Sequence, residues 1–150
     1  MKELTEPKQV YGNGDSTFRA AGGESGIRAL VDTFYDIMEH DARFRDVWNM
    51  HPPTRDLSRD KLARFLCAWS GGPRLYSEKY GAISIPGVHA HLAITVQHVD
   101  QWLSCMELAL IQRDYPEDFR TYLLPQLAKP AERIRAICAR NLTPVDEVAG

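Results

Sequence analysis

The stretch Gly26-Ile27-Arg28-Ala29-Leu30-Val31-Asp32-Thr33-Phe34-Tyr35-Asp36-Ile37-Met38-Glu39-His40 decides the fold class. Its apolar residues Ile27, Leu30, Val31, Phe34, Ile37 and Met38 recur at the spacing of one helical face, with Arg28, Asp32 and Asp36 opposite. The same period returns outward along the chain. It runs from Asp56 to Trp69 through Leu57, Leu62, Phe65 and Leu66, and from Thr95 to about Arg113 through Val99, Trp102, Leu103, Met106 and Leu110. It runs again from Pro116 to Asn141 through Leu123, Leu124, Leu127, Ile134 and Ile137. Amphipathic helices of this kind bury their apolar stripes against one another, so the expected class is all-α.

The breaks between helices have their own chemistry. A short apolar turn at Phe44, Val47 and Trp48 leads to a loop at Met50-His51-Pro52-Pro53, because proline drives its predecessor out of helical geometry. Asp56 or Ser58 is expected to cap the next helix, and Gly71-Gly72-Pro73 stops it. Leu75-Tyr76 opens a short turn or helix. The run from Gly81 to Gly87 alternates as an edge strand would, and His89 to Ile94 reads as a short helix or an extended segment. Pro116-Glu117-Asp118 suits a helix start, while Pro125 and Pro130 are expected to kink or segment that last helix. Residues 1–21 read as an aperiodic N-terminal extension, 22–141 as one folded domain and 142–150 as a frayed tail.

Composition narrows the classes. The 150 residues form a single domain, 44% hydrophobic and 25% charged, with 18 basic and 20 acidic side chains. A net charge of −2 offers no basic excess for nucleic acid or an anionic membrane. No apolar run suits a membrane span, and the polar N-terminus lacks a signal-peptide core, so a cytoplasmic location is expected. Cys67, Cys105 and Cys138 lie scattered in apolar helical stretches, which predicts buried free thiols rather than a disulfide framework or a CxxC zinc site.

Few residues carry candidate chemistry. His40, at a helix C-terminus, and His98, among polar neighbours, read as surface histidines. His89-x-His91 would share a face if extended, as a zinc pair does, but no Cys, Asp or Glu stands near to complete the set. In a helix only one of the two points inward, as a hydrogen-bonded core histidine or as an axial ligand to haem iron. Tyr35 and Trp102 each join an apolar body to one polar hydrogen, and suit either core packing or donation to a ligand. No GxSxG, GxGxxG, P-loop or HExxH motif competes.

From Gly22 to about Arg140 the chain resembles the group II truncated haemoglobins, the two-over-two globins. Phe34-Tyr35, Met50-His51-Pro52, the block Gly71-Gly72-Pro73-Arg74-Leu75-Tyr76 and the block Trp102-Leu103-Ser104-Cys105-Met106 carry the resemblance in this order. It implies a two-over-two helical sandwich around haem b, with His89 as the proximal iron ligand. His89 stands five residues before Ile94, which stands eight before Trp102, and His91 is the alternative ligand. The resemblance assigns Tyr35, His51 and Trp102 to the distal side and Ser58 to the usual distal-histidine position. Leu62, Phe65, Leu66, Ile94 and Met106 match the apolar lining, and Lys61 a partner of a haem propionate. The family's arginine before the proximal histidine is Val88 here, so Lys61 and Tyr76 are the remaining candidates for propionate contact.

The implied function is binding of O2, CO, NO or a similar diatomic ligand at a five-coordinate iron. Hydrogen bonds from Tyr35 and Trp102 suit tight holding and oxygen chemistry. A haem peroxidase or nitric oxide dioxygenase served by an unidentified reductase would use the same pocket. A haem-less interaction module is the remaining reading, and the retained His89, Tyr35 and Trp102 speak against it. Monomer and homodimer are equally compatible with the sequence.

Overall fold

The computed structural model describes the backbone of residues 11–81 and 93–149, with side chains through residue 139. Its helices are α1 (Ser16–Ala20), α2 (Gly23–His40), α3 (Arg45–Asn49), α4 (Arg55–Trp69), α5 (Leu75–Tyr80), α6 (Val96–Gln112) and α7 (Glu117–Ala149), with a 3-10 turn at Ala42–Phe44. No strand occurs among the described residues, as the all-α expectation required. The edge strand expected over residues 81–87 lies outside the described residues from residue 82 onward.

Helix α2 is the hub. It packs on α4 along one side and on α6 along another, and α6 in turn packs on α7. Ile27, Leu30, Val31, Phe34, Tyr35 and Met38 are all buried along α2, so its apolar stripe is wide enough to serve both neighbours. Ala63, Leu66 and Cys67 meet it from α4, and Cys105, Met106, Ala109 and Leu110 from α6. Each large side chain sealed this way stabilises the fold by about 1.5–3 kcal/mol. Cys67, Cys105 and Cys138 are buried free thiols, as read from the sequence.

Four local expectations need correction. Helix α4 begins at Arg55 after Thr54, and no side chain caps it; Asp56 and Ser58 lie inside the helix instead. Residues 16–20, aperiodic in sequence, form α1, because contacts with distant residues order them. The Phe18 amide donates to the distant Ser70 carbonyl (3.0 Å); just before the helix the Tyr11 hydroxyl donates to Asp118 Oδ2 (2.9 Å), and the Gly12 amide makes a local bond to Thr17 Oγ1 (2.8 Å). Helix α7 runs unsegmented through Pro125 and Pro130 and past Asn141. Phe119, Leu123 and Leu127, buried on either side of Pro125, supply packing that outweighs the lost backbone bond there. His98 is half-buried and completes a capping box for α6, its Nδ1 accepting from the Thr95 amide at 3.0 Å. His40 is exposed, as expected.

The turn Gly71-Gly72 receives the N-terminal segment. A Cβ on Gly71 (φ +99°) would sit 2.0 Å from the Gly14 carbonyl oxygen, and one on Gly72 would sit 2.4 Å from the Phe18 ring. Only glycines let the two backbone segments approach so closely.

Candidate functional site

The site grows from the middle of α2. Phe34 and Tyr35 are adjacent, so their side chains leave the helix in different directions, and both are buried. The Phe34 ring lies edge-on to Tyr35 (centroids 5.1 Å) and to Trp102 of α6 (5.0 Å). One ring thus spaces the two predicted donors. His51, in the loop before α4, stands perpendicular to Tyr35 at 5.3 Å. Its Nδ1 lies 3.0 Å from the Val47 carbonyl, which fixes the ring by its own preceding turn. The structure therefore brings Tyr35, His51 and Trp102 around one group of rings.

Tyr35 is 5% exposed, and its hydroxyl has no hydrogen-bond partner among the described residues. Among those residues no fully sealed side-chain nitrogen or oxygen lacks a partner, so this hydroxyl keeps a narrow opening. Burial pushes it well above its usual pKa, against the pull of the Arg59 and Arg55 cations. It is therefore a neutral phenol with a hydrogen to donate. Trp102 is half-buried, and its indole N–H likewise has no hydrogen-bond partner among the described residues. Cys105, one turn beyond Trp102, donates its thiol to the Phe34 carbonyl at 3.2 Å. Burial pushes this thiol up to about 12, so it keeps the hydrogen that makes the bond.

The apolar candidates divide into two groups. Leu62, Phe65 and Ile94 are half-buried, with Leu62 and Phe65 three residues apart on one face of α4. Leu66 and Met106 are sealed in the core, where they line an apolar void of about 20 Å³ with Ile27, Leu30 and Phe119. Ser58 is half-buried on α4. Lys61 is exposed, its ammonium 5.3 Å from the centre of the Tyr80 ring, and Tyr76 is buried with its ring 5.1 Å from that of Tyr80. His89 and His91 lie outside the described residues.

Sequence reasoning missed the charged groups that frame this cluster. The Arg59 guanidinium lies over the Tyr35 ring at 5.6 Å, and that of Arg55 over Trp48 at 3.9 Å while donating to the His51 carbonyl at 3.2 Å. Asp60 accepts from Arg28 (3.1 Å), Arg64 (3.0 Å), Lys79 (3.0 Å) and Tyr80 (2.5 Å). Burial alone would raise the Asp60 carboxyl, but bonds from Tyr80, Lys79, Arg28 and Arg64 hold it well below the usual carboxylate range. The signal available in sequence was the Asp32/Asp36 pair on the polar face of α2, which asks for a cation without saying which of several arginines supplies it.

The bacterial-like globin family matches residues 16–135. The chain belongs to that family. The globin is 30% identical over 112 residues to the Group 2 truncated hemoglobin YjbI of Bacillus subtilis, covering 75% of this chain and 83% of that protein. Among solved structures it is similar to the group II truncated haemoglobin from Bacillus anthracis (31% identity, TM-score 0.71, covering 79% of this chain and 94% of that one). It is also similar to the cold-adapted truncated haemoglobin of the Antarctic bacterium Pseudoalteromonas haloplanktis TAC125 (30% identity, TM-score 0.74, covering 79% and 95%). The group II truncated globin resemblance and its all-helical fold are thus borne out.

Membership implies haem-based ligand binding, and globins bind small diatomic ligands such as O2. The residues present fit a haem. Half-buried apolar side chains on α4 and before α6 suit the macrocycle, and a largely buried phenol lacking a partner suits a polar ligand beside it. Among the described residues no cluster of three or more His, Cys, Asp or Glu could hold a bare metal ion. A globin haem needs only one protein axial ligand. No helix among the described residues is long and apolar enough to cross a membrane.

Proposed function

We propose that this globin would hold haem b through His89 and would bind O2 with Tyr35 and Trp102 donating hydrogen bonds to it. The haem supplies the site at which a diatomic ligand attaches; the chain's residues set how long the ligand stays. One observation carries the reading: Tyr35 is 5% exposed and its hydroxyl is without a hydrogen-bond partner among the described residues. The hydroxyl keeps a narrow opening and a hydrogen that no described side chain takes, so a ligand that reaches it gains a hydrogen bond worth about 0.5–1.5 kcal/mol. The His51 ring stands perpendicular to that of Tyr35, and Phe34 packs against both Tyr35 and Trp102. Leu62, Phe65 and Ile94 are the side chains assigned to keep water from the hydrogen bonds, which strengthens them, while Leu66 and Met106 are sealed in the core. Lys61 and Tyr76 are the side chains assigned to the propionates.

The test is the absorption spectrum of the purified protein, oxidised, reduced and with CO. A Soret band is expected, lost in His89→Ala and kept in His91→Ala. The reverse pattern would exchange the two histidines. A protein that takes up no haem at all would end the reading.

A further inference from the structure

We infer that Arg59 is a positioning residue for the Tyr35 hydroxyl, clipping α2 on both sides of that ring and presenting a cation to its face so that the phenol donates. The inference rests on the proposed role of Tyr35 as donor to the diatomic ligand.

The geometry is specific. Arg59 Nη1 donates to the Asp32 carbonyl and to Asp32 Oδ1, both at 3.1 Å, and Nη2 donates to Asp36 Oδ1 at 2.9 Å. Asp32 lies three residues before Tyr35 and Asp36 one after it. The guanidinium thus spans the α2 turn that carries Tyr35, and its centre falls 5.6 Å from the centroid of the ring. The Arg59 side chain is only 22% exposed, whereas its two carboxylate partners are 62% and 63% exposed. The carboxylates are therefore turned to water and screened, while the cation faces the ring.

Phe34 and His51 pack steeply inclined against the same ring, at centroid distances of 5.1 and 5.3 Å. A cation over an aromatic face is attracted by the ring's negative charge and draws on it. The phenol oxygen becomes a poorer acceptor and its hydrogen a better donor. Among the described residues, the other charged or titratable groups around Tyr35 are Asp32 and Asp36 of α2, His51 of the loop, Arg55 of α4 and Cys105 of α6. Arg55 acts on the hydroxyl in the same sense as Arg59 but less strongly, and Cys105 acts in the opposite sense. Lysine cannot replace the fork, because a single ammonium cannot reach both aspartates in a planar arrangement.

The test compares O2 release from the reduced, oxygenated protein for wild type, Arg59→Met, Arg59→Lys, Tyr35→Phe and the Arg59→Met/Tyr35→Phe double variant. Arg59→Met should speed release about fivefold. Arg59→Lys should fall between it and wild type, and the double variant should match Tyr35→Phe. Equal effects of Arg59→Met with and without the hydroxyl would overturn the inference. A second readout uses the haem-free chain. The Cζ resonance of 13C-labelled Tyr35, assigned by its loss in Tyr35→Phe, should move in Arg59→Met and return part-way in Arg59→Lys. An unmoved resonance would also overturn it. If Tyr35→Phe leaves O2 release unchanged, the donor role of Tyr35 fails, and the resonance still decides whether Arg59 acts on that hydroxyl.

Discussion

Replacing Gly71 by alanine tests how the N-terminal segment is joined to the body of this globin. Gly71 has φ +99°, and a Cβ there would lie 2.0 Å from the Gly14 carbonyl oxygen and 2.9 Å from its carbonyl carbon. Two costs add together. The backbone conformation alone costs an L-residue about 1–2 kcal/mol. The collision is with backbone rather than with a flexible side chain, so the segment carrying Gly14 and Asp15 must move away, at about 1–3 kcal/mol more. Gly14→Ala is the control. It also has positive φ (+52°), but its Cβ would meet nothing within 4 Å. It carries the conformational cost alone, together with the same loss of unfolded-chain entropy on replacing glycine, which cancels in the comparison. For a chain of this length each kcal/mol moves Tm by roughly 2–4 °C, so Gly71→Ala should melt roughly 4–20 °C below wild type and Gly14→Ala roughly 2–8 °C below. Thermal unfolding followed by far-ultraviolet circular dichroism measures both. Limited proteolysis should find Gly71→Ala cut between residues 11 and 20 ahead of wild type. A Gly71→Ala protein no less stable than Gly14→Ala would show that the close approach of the two turns contributes nothing.

The other predictions concern the charges and the ligand. Asp60→Asn removes a carboxylate that four side chains share and should cost about 1–2 kcal/mol at neutral pH, read by urea unfolding. The Asp60 carboxyl is held below its unfolded value, so its contribution is complete above about pH 4 and is lost as the pH falls. Asp60→Asn should therefore flatten the acid side of the stability profile, and an unchanged acid slope would count against the network. Trp102→Phe removes one donor hydrogen while keeping the contact with Phe34. It should speed O2 release about tenfold, and an unchanged rate would take Trp102 out of the ligand's surroundings.

The fold was legible where apolar period dominated. The α2 stripe is read at sight, because burying it requires Ile27, Leu30, Val31, Phe34 and Met38 on one face. Helix α1 escaped notice because its order comes from residues far along the chain. The Phe18 amide meets Ser70, and Tyr11 meets Asp118 and packs on Phe119 and Tyr122. Prolines in α7 misled for a related reason: a local penalty of about 3 kcal/mol is offset by buried neighbours that no local rule counts. The His98 cap was available in the Thr95-x-x-His98 spacing, but histidine is not the residue a capping box leads one to seek.

At the site, residue types and spacing left Tyr35 and Trp102 open between core packing and donation, and it was the family resemblance that put them with His51 on one side; the structure brings the three around one group of rings. Side-chain period is a property of a single helix and survives translation into one dimension. What no linear reading reached is the way α2, α4 and α6 meet: Phe34 between the rings of Tyr35 and Trp102, a thiol on its carbonyl, and Arg59 laid across the turn that bears Tyr35. Arg28, Arg55, Arg59 and Arg64 look alike along the chain, and which of them faces a phenol depends on the angle and register at which two helices pack. That register is set by how all the buried side chains fit together at once.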